Sequence, residues 1–190
     1  MSKKQNRKGL VLLALGLVLL LAAGILYLFN ITEDKNAGKQ ASVLLDKITQ
    51  QQSTQNTQKN LPVIIADGYS FCGTVIIDKL GTELPVFNDW NYSSLKQAPC
   101  RYSGSISENN IVIAAHNYKS HFGSLDRLQI DDEVIFVDAY GLQHKYAVKQ
   151  ITILDGTAVD NMKSGDWDFT LFTCTKSGEQ RVTVRCNKVN

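Results

Sequence analysis

From Gly9 to Phe29 the chain reads GLVLLALGLVLLLAAGILYLF, a run without a single charged side chain. At about 1.5 Å of rise per residue, a helix of that length crosses a hydrocarbon core of about 30 Å while satisfying its own backbone hydrogen bonds. The run therefore predicts a transmembrane helix. A cleaved secretory leader has an apolar core of only about 7–15 residues and ends at a small-residue site, so length and flanks favour an anchor. Lys3, Lys4, Arg7 and Lys8 precede the run, and Glu33 and Asp34 follow it. Basic flanks stay in the cytoplasm. Residues 1–8 are thus expected as a cytoplasmic tip and residues 9–29 as a single-pass anchor in the cell membrane, with the rest of the chain outside the cell.

The formal charge is only +2 and part of it sits in that basic tip, which leaves no cationic patch of the kind that nucleic acid requires. Residues 30–60 read as a stalk, because Gln50 to Gln58 is polar, low in complexity and without an apolar face. Within it, Lys39 to Ile48 carries Val43, Leu44, Leu45 and Ile48 at near-helical spacing. That spacing fits either a helix packed on the domain or a frayed stalk helix, and the polar neighbourhood favours the second.

Beyond residue 61 the texture changes to short β-branched and aromatic runs: Thr74–Ile77, Glu83–Phe87, Ile111–Ala115, Glu133–Asp138, His144–Leu154, Phe169–Cys174 and Arg181–Cys186. Seven such runs predict one mainly β domain over residues 61–190, a barrel or a sandwich. Asp78-Lys79-Leu80-Gly81 and Asp138 to Leu142 offer Asp and Gly where hairpin turns need them. Short helices are expected near Trp90–Lys96 and Phe122–Leu128, the latter with Ser124 as a cap.

The C-terminal runs form a hairpin centred on Ser177-Gly178. With that centre, Cys174 faces Arg181, Phe172 faces Thr183 and Thr170 faces Arg185. The alternate residues Phe169, Leu171, Thr173, Val182, Val184 and Cys186 are the more apolar set and are expected in the core. A thiol at a strand's end then stands beside a guanidinium, and a fixed cation favours the nucleophilic thiolate. Arg185 lies four residues further along, roughly 13 Å away at about 3.3 Å per residue, so its default is a structural role. A cysteine nucleophile also needs a proton shuttle, for which histidine is suited near neutrality. His116 follows the strand Ile111–Ala115 and ranks first; His121 lies in a polar loop and ranks second; His144 is expected as a solvated strand residue. Four cysteines in an exported chain suggest disulfides, and Cys72–Cys100 stays open as one pairing. No metal-ligand spacing is present, and neither a metal nor another cofactor is expected.

Thr170-Leu171-Phe172-Thr173-Cys174 resembles the TLxTC signature of sortases, with Arg181 following in an R-x-x-V-type strand and His116 of IVIAAHN in the place of the sortase histidine. The likeness covers roughly residues 68–190. It implies an eight-stranded sortase β-barrel with short helices, displayed by the N-terminal transmembrane helix. It also implies a transpeptidase that cleaves an LPxTG-like sorting signal through a cysteine thioacyl intermediate. Cys174 would be the nucleophile, His116 the general acid and base, and Arg181 the group holding substrate or oxyanion. Thr173 would help to shape the oxyanion site through its main chain or hydroxyl. The implied partners are surface or pilin proteins bearing a C-terminal sorting signal, and an amine acceptor such as a peptidoglycan precursor. Ala115 stands where many sortases have glycine, and no aspartate-proline-aromatic lid motif precedes the barrel. No long helical insertion is evident between Leu154 and Asp168. These departures point away from the pilus-polymerising class and from the typical class B layout, towards a class D-like or atypical class B-like enzyme. Two other readings compete: another Cys/His hydrolase or L,D-transpeptidase acting on the cell wall, and a non-catalytic extracellular β-barrel that binds or senses.

Overall fold

The computed structural model describes residues 3–55, 63–163 and 165–189. The end of the polar stalk and the domain boundary at residue 61 lie outside the described residues, as do the side chains of the basic tip. Helix α1 spans Lys3–Gln55. Its part up to Asn36 is a unit of its own, where the apolar side chains from Leu10 to Phe29 stand outward and exposed. This is one helix long and apolar enough to cross a membrane, near the N-terminus.

The second unit runs from Ala37 to Asn190, and its described residues hold nine strands: β1 Ile64–Ala66, β2 Tyr69–Ile77, β3 Thr82–Phe87, β4 Cys100–Ser103, β5 Ile111–Ala114, β6 Glu133–Asp138, β7 Gln143–Asp155, β8 Phe169–Cys174 and β9 Gln180–Lys188. Their order is β1-β2-β3-β4-β5-β8-β9-β7-β6, and β6 pairs back onto β2. Eight strands thus close a barrel, and β1 extends β2 beyond the seam. Closure removes the free edges that would otherwise invite pairing with another chain. All seven runs read from the sequence are strands; β1 and β4 are additional, each too short to carry a pattern.

The hairpin turns form where Asp and Gly were expected. Gly81 is left-handed at φ 61° with its N–H bonded to the Asp78 carbonyl at 2.9 Å, and the Asp138 carboxylate accepts from the Tyr140 and Leu142 amides at 2.9 and 3.0 Å. Short helix α2, Tyr92–Leu95, begins at Asn91, whose side chain accepts from the Ser94 N–H. The second expected helix is a 3-10 turn, Leu125–Arg127, and Ser124 makes no side-chain cap there. Helix α3, Val159–Lys163, sits in the β7–β8 connection.

Inside the barrel, Phe169 stacks on Tyr146 at 4.6 Å and meets Phe136 at 5.8 Å, with Leu171, Val184 and Cys186 fully buried beside them. The segment favoured as a frayed stalk helix is a packed one. Ala37, Ala41, Leu44 and Ile48 recur at helical spacing and are buried, the last three in the same core cluster as the barrel. Polar composition around the segment concealed an apolar stripe only one side chain wide.

The seam between β2 and β6 passes through Gly73, at φ 154°. A Cβ there would stand 2.2 Å from the Val137 carbonyl oxygen and 2.7 Å from the Phe136 ring. Gly73→Ala is therefore expected to destabilise the domain by about 2 kcal/mol or more in urea unfolding; an unchanged midpoint would mean that the seam tolerates a side chain.

Candidate active site

Three strands stand side by side in the order β5, β8, β9. The β8–β9 hairpin pairs Cys174 with Arg181, Phe172 with Thr183 and Thr170 with Arg185, the register set by its Ser-Gly turn, where Gly178 is left-handed at φ 81° and its amide bonds the Thr175 carbonyl. On the other side, β5 runs parallel to β8 with Ala114 level with Phe172. That register continues past the last ladder residue. The Ala115 amide donates to the Phe172 carbonyl at 3.2 Å, the buried Thr173 hydroxyl donates to the Ala115 carbonyl at 2.9 Å, and the Asn117 side-chain amide donates to the Thr175 carbonyl at 3.1 Å. Both side-chain bonds join residues 58 apart, as does the ladder itself. His116 is therefore level with Cys174 on one side and Arg181 is level with it on the other. At about 4.8 Å per strand spacing, the row spans about 10 Å.

Cys174 and His116 are both half-buried. The His116 ring lies 4.8 Å from Tyr118, and the Phe122 amide donates to the His116 carbonyl at 3.2 Å. Arg181 turns its Nη1 onto the Gly178 and Gln180 carbonyls at 2.9 and 3.0 Å; both bonds leave from that one nitrogen of a guanidinium with five N–H donors. The hydroxyl of Thr173 is committed to Ala115, so it braces the end of β5 and does not face the row.

Arg185 has a different occupation. It is buried, and its guanidinium donates to the Met162 carbonyl at 2.8 Å, to the Thr170 hydroxyl at 3.1 Å and to the Asn161 carbonyl. Burial lowers its pKa from the usual value. It ties α3 to the barrel wall. His121, ranked second, is 1% exposed and packed 5.4 Å from the Tyr118 ring. His144 differs from the solvated strand residue expected of it. It is half-buried and pairs with Asp138 at 2.8 Å, because β6–β7 pairing brings it in from beside the turn.

The face of β8 that carries Cys174 is covered more fully than its composition implies. Thr170, Phe172, Thr183 and Arg185 are all buried, under α3 and under a series of rings that the sequence reading did not single out. Tyr102 meets Phe172 edge-on at 5.2 Å, Trp90 meets Tyr102 at 5.9 Å, and Tyr92 meets Trp90 at 4.8 Å. Lys163 lies over Tyr102 at 5.2 Å. Alternation along β8 could have marked Phe172 as sharing a side with Cys174, but the ring that meets it, Tyr102, arrives from β4, with Trp90 behind it from the loop before α2. A cavity of about 680 Å³ opens at the other end of the barrel, lined by Cys72, Arg101, Ile111, Phe136, Asp138 and His144. Ile111 pairs with Phe169 at the start of β8, so the cavity is separate from the thiol row.

The closed barrel thus carries a half-buried thiol at the end of β8, with Arg181 opposite it on β9 and His116 just past the end of β5, residue types that cysteine-based acyl transfer uses. The sortase-domain family model matches residues 75–189, more than half of the chain, and the chain belongs to the sortase family. No curated protein matches the chain in sequence. Among solved structures, the Clostridium perfringens sortase D5 transpeptidase is similar at TM-score 0.60 and 19% identity, over 84% of this chain and 99% of that one. Sortase C1 from Streptococcus agalactiae is similar at TM-score 0.58 and 19% identity, over 77% and 90%. Clostridium perfringens sortase C with the C-terminal cell wall sorting motif is similar at TM-score 0.57 and 20% identity, over 80% and 90%. At these identities the likeness establishes the fold.

All four cysteines are free thiols. Burial pushes Cys72, Cys100 and Cys186 from 9.0 up to about 12. Because the folded state holds their protons more tightly, the stability they contribute is whole below pH 9.0 and falls as the pH climbs towards about 12. A brief iodoacetamide pulse at about pH 8 is expected to label Cys174 and spare the buried Cys100 and Cys186, while unfolded chain is labelled on all four. Equal labelling of the native thiols, read by peptide mass spectrometry, would contradict this.

Proposed function

We propose that this sortase cleaves surface proteins at an LPxTG-like sorting signal and transfers them to an amine acceptor, with Cys174, His116 and Arg181 as its catalytic residues. The observation that supports the reading is the common register of β5, β8 and β9, in which Cys174 pairs with Arg181 and the two clasps from Thr173 and Asn117 carry the β5–β8 step past Ala114 on either side of His116. The Cys174 sulfur attacks the scissile carbonyl carbon. The amide C–N bond breaks as His116 protonates the leaving amine, and a thioester remains on the enzyme. The acceptor amine then attacks that thioester, its proton passes to His116, and the C–S bond breaks. Negative charge on the carbonyl oxygen in each step is met by the Nε and Nη2 donors of Arg181, which lie outside its two turn bonds. With its hydroxyl engaged, Thr173 contributes through the main chain at the cysteine.

The N-terminal helix anchors the enzyme with residues 1–8 in the cytoplasm and the barrel outside, following the basic flank. That places the site where exported surface or pilin proteins and cell-wall amines meet. A binding or sensor barrel gives no reason for a histidine, a cysteine and an arginine to fall at the same end of three neighbouring strands.

Incubation of the full chain with sorting-signal peptides and candidate amines is expected to give a covalent peptide adduct on Cys174, seen by mass spectrometry, and ligated product. Cys174→Ala and His116→Ala should nearly abolish both, and Arg181→Ala should cost about 10²–10³-fold in turnover. Arg185→Ala should retain most turnover at temperatures where it stays folded. Loss in the Arg185 variant with normal turnover in the Arg181 variant would overturn the assignment.

A further inference from the structure

The juxtamembrane part of α1 lies against the loop that follows His116. Gly38 packs on Ser120 so closely that a Cβ at position 38 would stand 2.8 Å from the Ser120 Cβ, nearer than two such atoms approach. Ala37 and Ala41, one helical turn apart on the buried stripe, are 3% and 1% exposed, so this stretch of the helix is seated against its support.

The loop has little slack to absorb a push. The His121 and Gly123 amides both donate to the Tyr118 carbonyl, at 2.9 and 2.8 Å, and the Phe122 amide donates to the His116 carbonyl. A Cβ at Gly123 would sit 2.5 Å from the Asn117 carbonyl oxygen. Phe122 and Leu125 are fully buried. The rings of His116, Tyr118 and His121 follow one another at 4.8 and 5.4 Å, with Ser120 between the last two in sequence. Close-packed segments transmit displacement, and this series of contacts ends at the half-buried His116 ring.

We infer that Gly38 and Ser120 are positioning residues: the packed helix holds the 117–122 loop at the distance that sets the His116 imidazole against the Cys174 thiol. The inference rests on the proposed pairing of His116 with Cys174. It makes the segment after the membrane span a working part of the catalytic domain and gives the glycine at position 38 a reason, since alanine there would favour the helix itself.

The test uses the full chain in detergent micelles and follows the rate of Cys174 alkylation by iodoacetamide as a function of pH, which reports the thiol and its neighbour without a substrate. His116→Ala is expected to change the rate and its pH profile. Gly38→Ala should move both towards the His116→Ala behaviour, with the rate near neutrality altered at least about threefold, short of the ~10²-fold that a 1 Å misplacement of a reacting group can cost. Gly38→Ala with Ser120→Gly should return towards wild type, because the clashing Cβ is gone; Ser120→Gly alone is the baseline for that comparison. Gly24→Ala, with open space at its Cβ, should match wild type. A wild-type profile for Gly38→Ala alongside an altered one for His116→Ala would overturn the positioning role alone. An unaltered profile for His116→Ala would overturn the pairing beneath it.

Discussion

The site depends on two hydrogen bonds that prolong a parallel strand pair after its ladder has ended. β5 and β8 stop being strands at Ala114 and Cys174, and without further ties the chain beyond Ala114 would be free to leave the sheet. Thr173 holds the Ala115 carbonyl and Asn117 holds the Thr175 carbonyl. These two clasps lie on either side of His116 and keep it in step with Cys174. Each is a modest bond of about 1 kcal/mol net, but they act on neighbouring residues of the same loop, so the position they fix is determined better than either alone would make it.

The opposite flank of the thiol is fixed by different means. The β8–β9 hairpin takes its register from a tight turn, and the turn carbonyls in turn hold the Arg181 guanidinium. Further down the same sheet face, Arg185 uses its donors on main-chain carbonyls of α3 and on Thr170. A buried guanidinium surrounded by neutral oxygens is tolerated because its N–H groups are met in geometry they fit. Two arginines of one strand, four residues apart, thus divide the work: the inner one closes the wall, and the outer one stands at the rim.

The hairpin was legible in the sequence because both of its partners are local: a Ser-Gly centre fixes every pair by simple symmetry, and the observed pairs follow it. The β5–β8 register that leads from Ala114 to His116 was legible only as a shared kind of place, a strand end, since parallel pairing leaves no local signature of register. Strands β1 and β4 were missed because three or four residues carry too little alternation, and β4 contains the bulge between Arg101 and Ser103. His144 was misjudged because its exposure was read from neighbours in sequence, whereas an Asp138 partner decided it. Of the packed face, only Leu44 and Ile48 belonged to the spacing read from the sequence; Ala37 and Ala41 were too small to be noticed there, and Val43 is exposed. Tyr102, which meets Phe172, and Trp90 behind it come from elements distant in sequence, so no pattern in the chain announces them.

Oxidative cross-linking of His116→Cys tests the aligned row most directly. Neighbouring strands stand about 4.8 Å apart, within the roughly 4.4–6.8 Å between Cα atoms that a disulfide spans. Under mild oxidation, His116→Cys should form a disulfide with Cys174, identified as a linked peptide pair, while His144→Cys, at the other end of the barrel, should leave Cys174 free. A reduced Cys174 in the first variant, or its capture in the second, would contradict the shared register on which the account stands.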